Sequence, residues 1–246
     1  MNALLKSLIM FLYPAQCRHC GESLDPADGH YICKSCWQQI ELIGRPYCET
    51  CGRPLDPLAA LPEVIPSCDD CPDNLSFRKA RSVTVYESAA GAAFRLLKYH
   101  GKTVMAKPLA DLMLEAMPGF FGMEDYDHII PVPLHKKRRR KRGYNQVELI
   151  GEWLSRATNI PMETQSLVKT VNTPPQVGLP YEERQRNVRG HFDVVSPPDL
   201  TGKRVLLIDD VFTTGATAGE SARTLLRKGK AEYVDVFTLL RVVSKF

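Results

Sequence analysis

Residues 205–217, VLLIDDVFTTGAT, combine an apolar run with two acidic residues and a loop rich in threonine and glycine. The run at 205–209 is short and contains branched side chains, which predicts a buried strand. Asp209 and Asp210 stand at its carboxyl end. The loop that follows comprises Thr213, Thr214, Gly215, Ala216 and Thr217. Because ligands bind at the carboxyl ends of strands in open parallel sheets, this stretch predicts a binding site.

The loop favours a phosphate monoester as its ligand. Backbone N–H groups at a helix N-terminus and the threonine hydroxyls can surround an anion, and Gly215 allows close approach of the backbone. Asp209 and Asp210 repel a phosphate unless a metal ion lies between them, so they suit the vicinal hydroxyls of a sugar or Mg²⁺. An ordinary buried strand with a turn is the alternative, and it leaves the two carboxylates and the loop without a role.

From Ser82 onward, apolar runs alternate with amphipathic segments. The runs predict strands at 82–86, 128–134, 205–209 and 233–241. The amphipathic segments predict helices at 89–100, 106–117, 145–158 and 218–229. This alternation predicts an α/β domain at 76–246 with an open, mostly parallel sheet covered on both faces. Residues 170–190 fit neither period and predict a long functional or mobile loop.

All eight cysteines fall in four CxxC pairs before residue 72. The pairs are Cys17 with Cys20, Cys33 with Cys36, Cys48 with Cys51, and Cys68 with Cys71. Two such pairs complete the tetrahedral four-sulfur shell that zinc prefers, so the spacing predicts a double zinc ribbon at 15–73 with two structural Zn²⁺ sites. A disulfide framework, an iron–sulfur cluster and a redox CxxC remain as alternatives.

The charge of the cysteine region bears on its function. Between Cys17 and Cys71 there are four lysine and arginine residues and nine acidic residues, a net charge of −5. Such a region repels a nucleic-acid backbone. We therefore expect a structural or docking role for it.

Positive charge is concentrated in residues 136–142, KKRRRKR. The chain has a formal charge of +4, so the remaining residues carry −3. A solvated face is the usual role of such a run. Its position between two core elements instead favours binding of a pyrophosphate, a nucleic-acid backbone or both. The candidate residues are Lys136, Lys137, Arg138, Arg139, Arg140, Lys141 and Arg142.

The first 14 residues form a separate segment. Residues 3–13, ALLKSLIMFLY, are interrupted by Lys6 and are too short to span a bilayer. They predict a short amphipathic helix at 1–14 that packs on the protein, with peripheral contact to a membrane surface as the alternative. No secretory cleavage pattern follows, so we expect a cytoplasmic protein.

The stretch VLLIDDVFTTGAT resembles the 5-phosphoribosyl-1-pyrophosphate (PRPP) motif of type I phosphoribosyltransferases. The resemblance implies that Asp209 and Asp210 hold the ribose hydroxyls, that 213–217 holds the 5′ phosphate, and that PRPP binds with Mg²⁺. It also implies a pyrophosphate loop within 128–146 and a flap from Lys169 to Gly190. The flap residues named by the resemblance are Tyr181, Arg184 and Arg186, with Arg184 as a catalytic candidate beside the two aspartates.

Nearly the whole chain resembles the ComF family of competence proteins. The matching segments are LKYHG at 97–101, PVPLHKKRRRKRGYNQVEL at 131–149, QVGLPYEERQRNVRGHF at 176–192 and FTLLR at 237–241. The family implies a role in uptake of transforming DNA, single-stranded DNA as a ligand, and a competence helicase or ATPase and recombination proteins as partners.

Three other functions are alternatives to this one. A metabolic phosphoribosyltransferase and a non-catalytic binding module both fit the same motifs, and whether the protein is an enzyme stays open. An ATPase fits poorly. VLLIDD is similar to a Walker B strand, but the Walker A pattern requires glycine where the chain has Leu96.

Overall fold

The computed structural model describes residues 15–24, 31–56, 67–68, 71, 75–173, 188–195 and 199–243. The helix expected at 1–14 lies outside these ranges, as do Tyr181, Arg184 and Arg186 of the expected flap. Within the described ranges, no helix has the length and apolar character needed to cross a bilayer.

A four-stranded parallel sheet forms the centre of the α/β domain. Its strands, together with a separate two-stranded pair, are β1 (Ala80–Val85), β2 (His128–Pro131), β3 (Leu167–Lys169), β4 (Phe192–Val194), β5 (Arg204–Phe212) and β6 (Tyr233–Arg241). The sheet order is β1-β6-β5-β2, and all three of its pairings are parallel. The predicted open parallel sheet is therefore confirmed. Strand β5 continues to Phe212, so the acidic pair lies within the strand and not after it.

Helices cover both faces of this sheet. The α-helices of the described residues are α1 (Lys34–Gln38), α2 (Ala89–His100), α3 (Ala106–Ala116), α4 (Lys136–Arg142), α5 (Gln146–Thr158) and α6 (Ala216–Arg227), of which α2, α3, α5 and α6 pack on the sheet. Side chains of β5 alternate between two cores, with Leu206 and Ile208 on one face and Val205 and Leu207 on the other. The first face carries α2, α3 and α5, and the second carries α6. Burial on both faces explains why the strand sequence is almost continuously apolar.

The basic segment is helical, although its sequence was expected to form a loop. His135 caps α4, because its Nδ1 accepts a hydrogen bond from the backbone N–H of Lys137 at 3.3 Å. Gly143 ends the helix with φ of 88°, a left-handed conformation that glycine adopts without strain. Seven adjacent cations disfavour a helix only where their charges lie close together. Because α4 distributes them around its circumference, the segment can be helical.

Strands β3 and β4 form an antiparallel pair that the sequence did not reveal. Lys169 is opposite Phe192, and Val195 donates its backbone N–H to the carbonyl of Ser166 at 2.9 Å. Each strand has three residues, which is too short to show alternation in a sequence. The pair flanks the segment expected to form the flap, so the two ends of that segment lie side by side.

The cysteine region docks on the free edge of β1. Ile43 donates its backbone N–H to Val83, Ala80 donates to Thr50, each at 2.8 Å, and the hydroxyl of Thr84 donates to the carbonyl of Glu41 at 2.6 Å. These bonds satisfy polar groups that an edge strand otherwise exposes. The α/β domain and the cysteine region therefore share part of their hydrogen bonding, and we expect each to stabilise the other.

A matched pair of glycine substitutions tests this docking. Gly21 and Gly52 each follow a CxxC pair and have φ of 80° and 72°, but only at Gly52 would a Cβ meet Ala80, 2.4 Å from its carbonyl oxygen. Gly21→Ala should cost about 1 kcal/mol of unfolding free energy from backbone strain alone. Gly52→Ala should cost about 2 kcal/mol more, because β1 and the ribbon must separate. Urea unfolding of both variants measures the difference, and equal losses would contradict the docking.

Candidate functional site

A cleft of about 820 Å³ opens at the carboxyl ends of the sheet strands. The residue following each of the four strands lines it: Tyr86 after β1, Val132 after β2, Thr213 after β5 and Val242 after β6. Asp209, Asp210 and Thr217 also line it. The structure thus brings the two predicted carboxylates and part of the predicted loop to one cavity, at the sheet edge where parallel α/β domains bind ligands.

Asp210 is fixed by two side chains from different helices. Lys98 of α2 and Gln146 of α5 both donate to its Oδ2, at 3.0 and 2.6 Å. Burial opposes the charge of Lys98, but the ion pair with Asp210 raises the pKa of this lysine above its usual value. No described residue is recorded as donating to Oδ1 of Asp210, so one carboxylate oxygen is held and the other is free to meet a ligand.

Asp209 differs from its neighbour in environment. Its Oδ1 accepts the backbone N–H of Asp210 at 2.8 Å, and the side chain is half-buried. Burial and the adjacent carboxylate of Asp210 together raise the pKa of Asp209 to about 7, against the opposing charges of Lys98 and Lys169. A cation or hydroxyl donor in the cleft would favour the ionised form.

The predicted phosphate loop leads directly into α6. Gly215 is the N-cap of this helix with φ of 76°, and the hydroxyl of Thr214 accepts a hydrogen bond from Ala216 N at 3.4 Å. The side chains of Thr213 and Thr217 reach the cleft, whereas Gly215 and Ala216 are buried and contribute backbone only. The first N–H groups of a helix have no intrahelical partners and carry partial positive charge, so the loop is suited to an anion.

Helix α4 divides the seven candidate cations between two faces. Arg138, Lys141 and Arg142 line the cleft, and they are spaced three and four residues apart, as one helix face requires. Lys136, Lys137 and Arg140 do not line the cleft and are exposed. Arg139 is engaged elsewhere, because it forms an ion pair with Glu148 of α5 at 2.8 Å.

The inner face of α4 is tied to its surroundings. The guanidinium of Arg138 donates to the carbonyl of Thr173, and that of Arg142 donates to the side-chain oxygen of Gln146. Burial and the nearby charge of Arg142 lower the pKa of Arg138. Three cations and two carboxylates thus line the same cleft, which gives the cavity groups that bind an anion and groups suited to hydroxyls or a metal ion.

Sequence reasoning missed three residues of this site. Lys98 and Gln146 hold Asp210, and Lys169 lines the cleft from β3. Burial and the charge of Arg138 lower the pKa of Lys169. Lys98 and Gln146 lie in segments 97–101 and 131–149, which carried the family resemblance, but only the folded chain shows that they meet the same oxygen.

The cysteines form two separate clusters. Within each, the sulfur atoms all lie within 4.8 Å of one another. The sulfurs of Cys17 and Cys36 and those of Cys20 and Cys33 are 3.8 Å apart, those of Cys48 and Cys71 are 3.6 Å apart, and those of Cys51 and Cys68 are 3.5 Å apart. Zinc with Zn–S bonds of about 2.3 Å places the sulfurs of a tetrahedron about 3.8 Å apart. Each cluster therefore fits one four-coordinate ion. Disulfides need about 2.05 Å, so the disulfide alternative does not fit.

These features define an α/β domain with a parallel sheet and a polar cleft, joined to an N-terminal pair of four-cysteine metal sites. A family model described as a double zinc ribbon domain matches residues 8–79. That match agrees with the two cysteine clusters, and it confirms the predicted ribbon.

Curated relatives extend the similarity to the whole chain. Competence protein F of Haemophilus influenzae is 31% identical, over 95% of this chain and 100% of the relative. The DNA utilization protein YhgH of Escherichia coli K12 is 30% identical over the same shares. Competence protein ComFC of Bacillus subtilis is 30% identical, over 85% of this chain and 84% of the relative. The chain belongs to the ComF family of competence proteins.

Solved phosphoribosyltransferases show a weaker likeness. The purine phosphoribosyltransferase of Pyrococcus horikoshii has a TM-score of 0.31 and 17% identity, over 54% of this chain and 83% of that chain. The hypoxanthine-guanine phosphoribosyltransferase of L. donovani has a TM-score of 0.27 and 9% identity, over 54% of this chain and 66% of that chain.

Metal analysis tests the two cysteine clusters. We expect the purified protein to hold two Zn²⁺ per chain, because each cluster supplies four sulfurs at tetrahedral spacing. Cys20→Ser and Cys48→Ser should each reduce the content to about one. Elemental analysis by mass spectrometry measures zinc and iron together, and a chain that holds iron, or a single ion shared by both clusters, would contradict this assignment.

The ion pair in the cleft allows a second test. Lys98→Met should reduce the unfolding free energy by about 2–3 kcal/mol, because it leaves the largely buried Asp210 without a charged partner. Lys107→Met is the control, since Lys107 pairs with Asp111 on an exposed surface and should cost less than about 1 kcal/mol. Denaturant unfolding measures both values. A loss at Lys98 no larger than that at Lys107 would show that the pair does not hold Asp210.

Proposed function

We propose that this protein binds PRPP with Mg²⁺ in the cleft. The observation that carries the proposal is the arrangement of two adjacent carboxylates, a helix N-terminus and a cationic helix face around one cavity. In this arrangement Asp209 and Asp210 bind the ribose 2′ and 3′ hydroxyls, the loop at 213–217 binds the 5′ phosphate, and the inner face of α4 binds the pyrophosphate. Sheet-edge binding and anion binding at a helix N-terminus support each role separately.

A phosphoribosyl transfer would follow from this placement. The bond between ribose C1 and the pyrophosphate oxygen breaks, and the electron pair leaves with pyrophosphate. The acceptor's lone pair forms the new bond to C1, and the proton that the acceptor loses passes to solvent. Arg138, Lys141 and Arg142 would stabilise the leaving charge, and Asp209 and Asp210 would hold the ribose in place. Mg²⁺, when bound with PRPP, supplies further neutralisation of the pyrophosphate. The expected flap and its residue Arg184 would exclude water, as the resemblance implies.

We further propose that single-stranded DNA binds along the outer face of α4. Lys136, Lys137 and Arg140 are exposed, and no described residue is recorded as an ion-pair partner of any of them. Three clustered cations that do not reach the cleft exceed what the pyrophosphate needs, and phosphate backbones bind such clusters. The relatives named for competence and DNA utilization support a role in cytoplasmic handling of incoming DNA. A competence helicase and recombination proteins are then candidate partners.

Titration with PRPP and Mg²⁺ tests the first proposal. The wild-type protein should bind, and Asp209→Asn combined with Asp210→Asn should weaken binding at least a hundredfold, because both hydroxyl acceptors lose their charge. Isothermal titration calorimetry measures both affinities. Absence of binding by the wild-type protein would contradict the proposal, and so would equal binding by the variant.

The pH dependence of this binding is a separate prediction. Asp209, with its pKa raised to about 7, is mostly protonated at pH 6 and mostly ionised at pH 8. If the carboxylate is the binding form, affinity should rise about tenfold over this range, with proton release on binding below pH 7. PRPP has its own titrating phosphates, so Asp209→Asn is the control and should flatten the part of the slope that belongs to the protein. An identical slope in this variant would exclude Asp209 as the titrating group.

Salt dependence tests the DNA proposal and separates the two faces of α4. Replacing Lys136, Lys137 and Arg140 with glutamine should weaken binding of a single-stranded oligonucleotide and reduce its slope of log affinity against log salt by about 2, while PRPP affinity stays unchanged. Replacing Arg138 and Lys141 should weaken PRPP binding most. If neither the triple substitution nor the double substitution alters DNA binding, the protein is better described as a metabolic phosphoribosyltransferase without a role in DNA handling.

A further inference from the structure

Arg241 is a buried cation at the end of β6 with no role in the site described so far. It is 4% exposed. Its Nη1 donates to the carbonyl of Cys51 at 2.5 Å, and its Nη2 lies 3.3 Å from the sulfur of the same residue. Among the described residues, no carboxylate forms an ion pair with it. The second cysteine cluster, which contains Cys51, is therefore the chief partner of this guanidinium.

The charge of that cluster depends on its metal. Four thiolates around one Zn²⁺ carry a net charge of −2, which compensates a buried cation. Without the metal, nothing holds the four sulfurs at this spacing, and the carbonyl and sulfur of Cys51 that Arg241 contacts are no longer fixed in position. A buried guanidinium whose hydrogen-bond partners are displaced moves toward water or disturbs its surroundings.

On its other side, Arg241 contacts the strand that carries the phosphate loop. It is the cross-strand partner of Phe212 in the parallel β5–β6 pairing, and its guanidinium carbon lies 4.7 Å from the centre of the Phe212 ring. Phe212 in turn packs directly beneath Gly215. A Cβ at Gly215 would lie 2.8 Å from the Phe212 ring, so the ring sets how closely the loop can approach the sheet.

We propose that Arg241 is a positioning residue that couples zinc occupancy of the second cysteine cluster to the geometry of the phosphate loop. The coupling runs from Cys51 through Arg241 and Phe212 to Gly215, and every step is a direct contact. Among the residues that the structure describes, the first cluster has no such connection, because its buried cysteines pack in the other core, on the face of the sheet that carries α2. The expected effect on PRPP affinity rests on the proposed function, whereas the expected effect on the geometry of the phosphate loop does not.

Two cysteine variants provide a matched test. Cys71→Ser and Cys20→Ser each remove one thiolate from one cluster, and neither residue is fully buried. Zinc content, affinity for PRPP with Mg²⁺, and hydrogen exchange of the amides at 214–219 without ligand are measured on each full-length protein. We expect Cys71→Ser to weaken PRPP binding about tenfold and to accelerate exchange at 214–219 about tenfold, and Cys20→Ser to leave exchange at 214–219 unchanged. Equal exchange at 214–219 in the two variants would overturn the coupling.

A second pair keeps the test independent of metal loss and of folding. Phe212→Leu interrupts the contact path without touching a cysteine, and Phe121→Leu makes the same change at a buried ring that does not line the cleft. Faster exchange at 214–219 in Phe212→Leu but not in Phe121→Leu, with two zinc ions per chain retained, supports the contact path. Arg241→Lys keeps the charge, so its exchange rate at 214–219 should lie between the rates of the wild-type protein and Arg241→Met.

The outcomes separate the two proposals. Wild-type protein that fails to bind PRPP but shows the exchange pattern refutes the proposed function and retains the coupling. If the wild-type protein binds PRPP but neither Cys71→Ser nor Phe212→Leu alters exchange in the loop, the coupling is refuted and the proposed function is retained.

Discussion

The contact of Asp210 with Lys98 and Gln146 holds the cleft together. It joins the end of the central strand β5 to helices α2 and α5, which approach that strand from the same face. A largely buried carboxylate requires such partners, so the two helices and the strand end are fixed relative to one another. Because both donors use the same oxygen, the arrangement also leaves the second oxygen for a ligand. One contact thus serves both the fold and the site.

The second constraint is the docking of the cysteine region on β1. Its backbone hydrogen bonds complete the edge of the sheet at one end, whereas the basic helix α4 follows β2 at the opposite end. The acidic ribbon therefore lies beside one edge strand, and the cationic helix follows the other edge strand. This arrangement agrees with a ribbon that supports the domain and leaves anion binding to the other edge.

Much of the fold could be predicted from sequence because its signals are local. The apolar runs of β5 and β6 are buried on both faces. The two-residue spacing within each CxxC pair brings its two sulfurs close together. The acidic pair and the threonine loop are contiguous, so their chemistry was visible. The helical form of 136–142 was not predicted, because it depends on the cap from His135 and the turn at Gly143. Strands β3 and β4 are too short for a periodic pattern.

Pairings between distant residues could not be predicted either. Lys98 meets Asp210 across 112 residues, and Arg241 meets Cys51 across 190. Neither partner has a sequence feature that identifies the other. Which cations of α4 face the cleft likewise depends on how the helix is oriented against α5. These contacts determine how the side chains around the recognised motif are arranged in the cleft.

Phosphorus NMR of PRPP, titrated with the protein in the presence of Mg²⁺, tests the central claim most directly. The cleft is proposed to hold the sugar phosphate at one end and the pyrophosphate at the other, so all three phosphorus resonances should shift and broaden together. In Asp209→Asn/Asp210→Asn, the 5′ phosphate resonance should return to its free position. Perturbation of the pyrophosphate resonances alone, unaffected by this double substitution, would contradict the account, because it would show that α4 attracts anions without a sugar-phosphate site beside it.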